Sequence, residues 1–224
     1  MRVNSDFLQQ AALLSSQYSW KPTPQKGVER VMLDRIGGEK ARATTVVRYA
    51  PESFFPSHGH PGGEEILVLS GTFSDQAGDY PEGWYLRNPP GSSHAPSSKN
   101  GTTIFVKLWQ MQEKEASPVR IDTNNPNAWI TKNNLQICPL YQDDSEETKL
   151  VKLSPQQHLS NKLSTHDALE LFVLSGSVLH QGQEYTKGSW LRLPSNSKPL
   201  ITAGDSNAAI YLKVGSFKNI GCGD

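Results

Sequence analysis

The residues of this sequence best placed to do chemistry are His58, His60, Glu64 and His94. The first three sit in His58-Gly-His60-Pro-Gly-Gly-Glu64-Glu65-Ile-Leu-Val-Leu-Ser-Gly71, and the fourth closes Gly83-Trp-Tyr-Leu-Arg-Asn-Pro89-Pro-Gly91-Ser-Ser-His94. Three imidazoles and one carboxylate suit a divalent transition metal, because imidazole nitrogens are borderline-soft donors and the carboxylate lowers the net charge of the site. The chain has six histidines, so this short region holds half of them. Such a donor set leaves a coordination position open, which separates a reactive or sensing centre from a closed structural one.

The elements around these residues must bring them to one point. Side chains alternate across a strand, so His58 and His60 share a face of an extended segment. Pro61-Gly62-Gly63 is a bend, and Glu64 then opens an apolar strand that stops at Ser70-Gly71. Glu64 shares a face with Ile66 and Val68, whereas Glu65 points the other way with Leu67 and Leu69. Glu64 is therefore the expected ligand and Glu65 is not. His94 must arrive from another strand, three residues after the sharp turn Pro89-Pro90-Gly91. An HxH by itself fits any exposed strand. The second block, with its own turn chemistry, makes it a metal site.

Composition narrows the class. At 224 residues the chain suits one large all-β domain or two of ordinary size. Its 22 basic and 22 acidic residues cancel and form no basic stripe, so nucleic acid is not an expected partner. Its two cysteines, Cys138 and Cys222, give neither a disulfide scaffold nor a CxxC zinc site. The first residues lack an apolar leader and no run of about 18 apolar residues occurs, so a cytoplasmic protein with no membrane contact is expected. Eighteen glycines and fifteen prolines between short apolar runs favour strands and turns. Asp6-Phe-Leu-Gln-Gln-Ala-Ala-Leu-Leu14 reads as a short helix capped by Ser5 or Asp6.

The chain is also duplicated. Glu65-Ile-Leu-Val-Leu-Ser-Gly71 returns as Glu170-Leu-Phe-Val-Leu-Ser-Gly176, and Gly83-Trp-Tyr-Leu-Arg-Asn-Pro89 as Gly188-Ser-Trp-Leu-Arg-Leu-Pro194. Thr45–Pro51 is echoed by Lys149–Pro155, and Ile104–Leu108 by Ile210–Val214. Two β modules follow, over 20–116 and 127–224, behind an N-terminal segment 1–19 and joined by a polar linker over Ser117–Pro126. In the second copy Leu169 replaces Glu64, Thr165 replaces His60 and Pro199 replaces His94. His166 and Glu170 fall one position off and face outward, so the second copy is expected to hold no metal. His158 and His180 are expected at the surface. Glu65 with Glu170 and Arg87 with Arg192 persist between copies, which implies a fold role such as an ion pair or an edge-strand charge; an anion site at Arg87 is the alternative. Trp84, Trp109 and Trp190 read as packing residues, and Phe54, Phe55, Tyr80 and Tyr85 as packing residues that could line a cavity.

The two blocks resemble the cupin motifs G-x5-HxH-x3/4-E-x6-G and G-x5-PxG-x2-H-x3-N, through His58, His60, Glu64 and Gly71, then Gly83, Pro89, Gly91 and His94. Pro51 or Ser53 stands where the first motif opens on glycine, and Ser98 where the second closes on asparagine. Gly62–Asp75, Gly78–Gly83, Asn88–His94 and Ile104–Leu108 are similar to the cupin of ChrR-type anti-sigma factors. That resemblance implies tandem jelly-roll barrels and one divalent ion per chain on His58, His60, Glu64 and His94. Zinc is the first expectation, and iron, nickel or manganese also suit the donors. It also implies a regulatory or sensor protein, or a binder of a small-molecule ligand. The alternative is a cupin dioxygenase acting on a β-diketone or aromatic ketone at a non-haem metal. A sigma-factor partner would need an HxxxCxxC motif, which these residues do not contain. A monomer and a homodimer both suit a two-module chain.

Overall fold

The computed structural model describes residues 1–38, 40–159 and 167–217. Thr165 and His166, and with them the outward-facing reading of His166, lie outside the described residues. In chain order the strands are β1 (Arg2–Val3), β2 (Ala11–Leu13), β3 (Lys21–Pro22), β4 (Val28–Gly37), β5 (Ala41–Tyr49), β6 (Ser53–Phe54), β7 (His58–His60), β8 (Glu64–Asp75), β9 (Gly78–Pro81), β10 (Trp84–Asn88), β11 (Ser92–His94), β12 (Ser97–Ser98), β13 (Thr102–Leu108) and β14 (Val119–Asp122). They continue as β15 (Ile130–Lys132), β16 (Leu135–Gln142), β17 (Glu146–Leu153), β18 (Ala168–Ser175), β19 (Ser177–His180), β20 (Gln183–Thr186), β21 (Trp190–Leu193), β22 (Ile201–Ala203) and β23 (Ala208–Gly215). Helical structure among the described residues is limited to 3-10 turns at Ser15–Gln17 and Pro126–Ala128. The protein is all-β, and no helix of the described residues is long and apolar enough to cross a membrane.

The expected N-terminal helix does not form. Asp6 accepts from the Leu8 amide in a local turn, and Ala11–Leu13 then pairs as β2 with β21. Sheet pairing, with Ala12 opposite Leu191, supplies the backbone partners that an isolated helical turn would have to supply alone. The polar stretch expected as a linker contains β14, which pairs with β10.

The contacts divide the chain into two units. The described part of the first holds Met1–Ser5, residues 19–38 and residues 40–124, and that of the second holds Asp6–Tyr18, residues 125–159 and residues 167–217. The first unit has the sheet order β1-β4-β5-β13-β8-β10-β14, with β7 and β11 forming a separate two-stranded ribbon. The second unit has the order β15-β16-β17-β23-β18-β21-β2. Matching the sequence echoes strand by strand gives the same order in both, with β4, β5, β13, β8 and β10 answering to β16, β17, β23, β18 and β21.

Alternation sets the faces. In the first unit Val28, Ile66, Val68, Leu86, Ile104 and Val106 make one buried apolar cluster with Phe73 and Tyr80. In the second, Leu169, Leu171, Val173, Leu191, Ile210 and Leu212 belong to a larger one. Gly71 is where β8 leaves β13 and continues beside β9. Its φ is +72°, and a Cβ there would lie 2.1 Å from the Gly101 carbonyl oxygen, so only glycine is accommodated.

The opposite face of β8 and β10 carries charge. Arg87 pairs with Glu65 at 3.1 Å and with Glu115 at 2.7 Å, all well buried. Both strands are interior to the sheet, so Glu65 and Arg87 serve as a buried ion pair, not as edge protection. The anion-site reading of Arg87 fails for the same reason: two carboxylates already engage its guanidinium. His158 is exposed as expected, whereas His180 is 1% exposed, with Nδ1 at 3.2 Å from the Leu200 carbonyl oxygen. It sits in β19 between β20 and β22, and a strand paired on both sides buries alternate side chains whatever their type.

Candidate metal centre

β7 and β11 pair in antiparallel register, with His94 directly opposite His58 and Ser92 opposite His60. This ribbon brings three imidazoles together, with ring centroids 4.6 to 5.1 Å apart. Glu64 enters from the first position of β8, held on one side by Asn88 of β10 and on the other by Leu108 of β13. One potential ligand atom from each of His58, His60, Glu64 and His94 lies within 4.8 Å of all the others. Glu65, on the other face, takes no part.

The connection between ribbon and strand leaves no room for a side chain. A Cβ at Gly62 would lie 2.6 Å from the Trp109 ring, and Gly63 takes a φ of +75°. The position that the cupin motif fills with glycine is Glu52, between Pro51 and Ser53. Glu52 carries the left-handed φ of +58° that glycine would otherwise provide.

Neighbouring groups fix the donors. His58 Nδ1 lies 2.8 Å from the Pro56 carbonyl oxygen and His94 Nδ1 lies 3.3 Å from Asp75 Oδ2. Donation from Nδ1 in each case leaves Nε2 with the lone pair that a metal requires. Glu64 Oε2 accepts from Asn88 Nδ2 at 3.0 Å, and Asn88 Oδ1 accepts in turn from Arg120 Nη2 at 2.6 Å. Asp75, Asn88 and Arg120 escaped the sequence reading. The only signal was Asn88 itself, which pairs with Glu64 if β8 and β10 form an antiparallel hairpin.

The electrostatics suit a cation. Burial lowers His60 to about 3, with the adjacent imidazoles of His94 and His58 adding to the effect. Burial also lowers His94 to about 4, against the pull of Asp75. Both rings are thus neutral at physiological pH, the form that binds metal. Burial pushes Glu64 up to about 7, while the Asn88 hydrogen bond holds it down. His60 Nε2 and His94 Nε2 are buried without a hydrogen-bond partner, at 3.5 and 3.2 Å from Glu64 Oε2. Unsatisfied buried nitrogens cost on the order of 1–3 kcal/mol each, a cost that a bound cation would remove. The residues present therefore fit a divalent metal. Cys138 is no competing ligand: it is buried, and burial raises its thiol to about 11.

A cavity of about 480 Å³ borders the cluster, and His58, His60 and Glu64 are part of its wall. Tyr49, Phe55, Val106 and Trp109 supply apolar lining. Of the other expected lining residues, Phe54 is exposed, while Tyr80 and Tyr85 are buried in packing.

Residues 8–112 match the family model described as the ChrR Cupin-like domain. Those residues, just under half of the chain, form a cupin domain. Solved structures agree at the level of the fold. A protein from Nostoc punctiforme provisionally assigned as a dioxygenase is 16% identical, with a TM-score of 0.74 over 94% of this chain and 84% of that one. The Escherichia coli pirin YhhW in complex with nickel(II) is 11% identical, with a TM-score of 0.69 over 93% of this chain and 99% of that one. A Cupin 2 conserved barrel domain protein from Leptotrichia buccalis is 11% identical, with a TM-score of 0.59 over 88% and 92%. No curated protein sequence matches this cupin significantly.

Proposed function

We propose that this cupin holds one divalent metal ion on His58, His60, Glu64 and His94 and binds a small organic molecule in the adjoining cavity. The observation that carries the reading is the pair of buried, unpartnered imidazole nitrogens beside a buried carboxylate, in the wall of an apolar cavity. When bound, the ion would supply Lewis acidity at an open coordination position. The chain's own residues would orient the imidazoles through Pro56 and Asp75, hold Glu64 through Asn88, and exclude water with Phe55 and Trp109. We read the whole as a bicupin, with modules over 20–116 and 127–224. The shared strand order supports that reading, as does the replacement of the ligands by Leu169, Thr165 and Pro199 in the second module.

Metal analysis of protein purified without added metal tests the proposal. One zinc, nickel, iron or manganese per chain is expected in the wild type and none in His60→Ala. Full occupancy in His60→Ala would overturn it. A second reading, a dioxygenase acting on a β-diketone or aromatic ketone, is favoured by the cavity reaching the ligand residues themselves. Oxygen uptake by iron-, nickel- or manganese-loaded protein with such substrates separates it from simple ligand binding. A regulatory role would use the same site as a sensor; co-purification of a sigma factor would support it.

A further inference from the structure

One face of β5 lines the first-unit cavity. Thr45, Val47 and Tyr49 alternate onto it. Thr44 takes the other face, where it accepts from Lys107 and Gln110. Tyr49 is unusual in that wall. It is 8% exposed, and its hydroxyl makes no hydrogen bond among the described residues. Tyr18, Tyr80 and Tyr141 each engage theirs, with the Gly188 carbonyl, Arg120 and Asp143. The Tyr49 oxygen is not sealed in the core either, so it opens on the cavity. A phenol buried this far without a partner costs stability that an apolar side chain would not.

The ring is held close to the ligand cluster. It stands edge-on to Phe73, with 6.2 Å between centroids, and Phe73 in turn packs 5.8 Å from His94. Burial raises the Tyr49 phenol, and the Glu64 carboxylate adds to the rise. That second effect decays with distance, so hydroxyl and carboxylate lie near one another in the same wall. At neutral pH the hydroxyl is protonated and available as a donor.

The second unit is an internal control. Tyr49 lies opposite Thr102 and Val47 opposite Ile104, just as Leu153 lies opposite Ala208 and Val151 opposite Ile210. Leu153 therefore stands at the position of Tyr49, fully buried, in the unit where Leu169 and Pro199 replace two of the ligands. A tyrosine that serves the fold behaves differently: Tyr80 opposite Phe73 returns as Tyr185 opposite Val178, both buried. An apolar side chain thus satisfies the fold at the position of Tyr49, and the phenol is confined to the unit with the ligand cluster.

We propose that Tyr49 is the specificity-determining residue of the first-unit cavity, its hydroxyl donating to an oxygen of the bound molecule. The cavity would then take an apolar molecule that carries a ketone oxygen and discriminate against a hydrocarbon of the same shape. A site built around a hydrogen bond rejects an analogue that leaves the buried donor unpaired. The inference deepens the function proposed above by naming the ligand class, and it rests on that reading for the cavity as the binding site, not for the metal.

The test titrates acetophenone and ethylbenzene, which share a shape and differ in the carbonyl, into metal-free wild type and Tyr49→Phe by ligand-observed NMR. The variant is expected to weaken acetophenone roughly three- to tenfold and to leave ethylbenzene within about twofold. In metal-free wild type the carbonyl stretch of bound, 13C-labelled acetophenone should move to lower frequency, and in Tyr49→Phe it should return. The infrared measurement on the wild type holds even if the variant fails to fold. An unshifted stretch in the wild type, equal weakening of both probes, unchanged acetophenone binding in the variant, or no binding of either probe would overturn the inference. Absence of metal from purified wild type, with the acetophenone effect intact, would refute the metal reading and leave this one standing.

Discussion

Asn88 offers the sharpest test of how the protein tunes the Glu64 carboxylate. It is 5% exposed, and its amide is the hydrogen-bond donor that stabilises ionised Glu64. Asn88→Ala removes that donor. A hydrogen bond to a charged group contributes about 1.5–3 kcal/mol, which is roughly one to two pKa units. Glu64 would then rise from about 7 to roughly 8–9. At pH 7 its ionised fraction falls from about one half to between roughly 10% and 1%. Only the ionised form is a ligand, so the apparent metal Kd is expected to weaken roughly 5- to 50-fold at pH 7. At pH 9 half or more of the variant's Glu64 is ionised again, and the defect should shrink to within about twofold. Competition with a chromophoric chelator at the two pH values measures both ratios. A defect of equal size at pH 7 and pH 9 would refute the electrostatic account and leave Asn88 a purely steric role. No defect at either pH would remove Asn88 from the site altogether.

Four further outcomes are expected. His94→Ala should abolish tight metal binding, whereas His158→Ala and His166→Ala should leave one ion per chain by elemental analysis. Metal-free protein should lose stability as pH falls from about 6.5 toward 4.5, read by urea unfolding. His60 and His94 are held neutral when folded but protonate near 6.5 when unfolded, so their contribution is lost as pH falls toward their folded values. Raised Glu64 works in the opposite sense, its contribution present below 4.5 and lost as pH rises through about 7; two protons against one leave a net slope of about 1.4 kcal/mol per pH unit. Gly62→Ala would place a Cβ 2.7 Å from the Trp109 backbone, costing on the order of 1–3 kcal/mol, seen as a lower Tm and weaker metal binding. Arg87→Met strands Glu65 and Glu115 in a buried setting and should cost about 3–5 kcal/mol while leaving metal stoichiometry at one.

The parity of residues along one strand was enough to place Glu64, and not Glu65, beside the three histidines, because alternation is a local rule and β8 obeys it. The duplication was legible for the same reason: runs such as Glu-x-x-Val-Leu-Ser-Gly keep their spacing in both copies. What the sequence hid was set by pairing partners. Asp6–Leu14 has helical spacing, yet β21 offers it a sheet edge. Arg35 shares a face with Arg30 only because Leu33 bulges, and a bulge breaks the alternation on which the reading depends. His180 is polar by type and buried by its place between two strands. Arg120 sits in a stretch that composition marks as a linker, and its contact with Asn88 follows from β14 pairing with β10.

The four candidate ligands stand on supports of very different strength. Glu64 opens a twelve-residue strand and has a paired neighbour on each side, whereas the imidazoles ride a ribbon of three residue pairs. So unequal a cradle separates the timing of capture from that of release. An arriving ion would meet a carboxylate already in place and wait for the histidines to close over it. Its residence time would be governed by how often so short a ribbon peels open, so metal exchange and amide-proton exchange at Gly91, which donates to the His60 carbonyl oxygen, should share one clock.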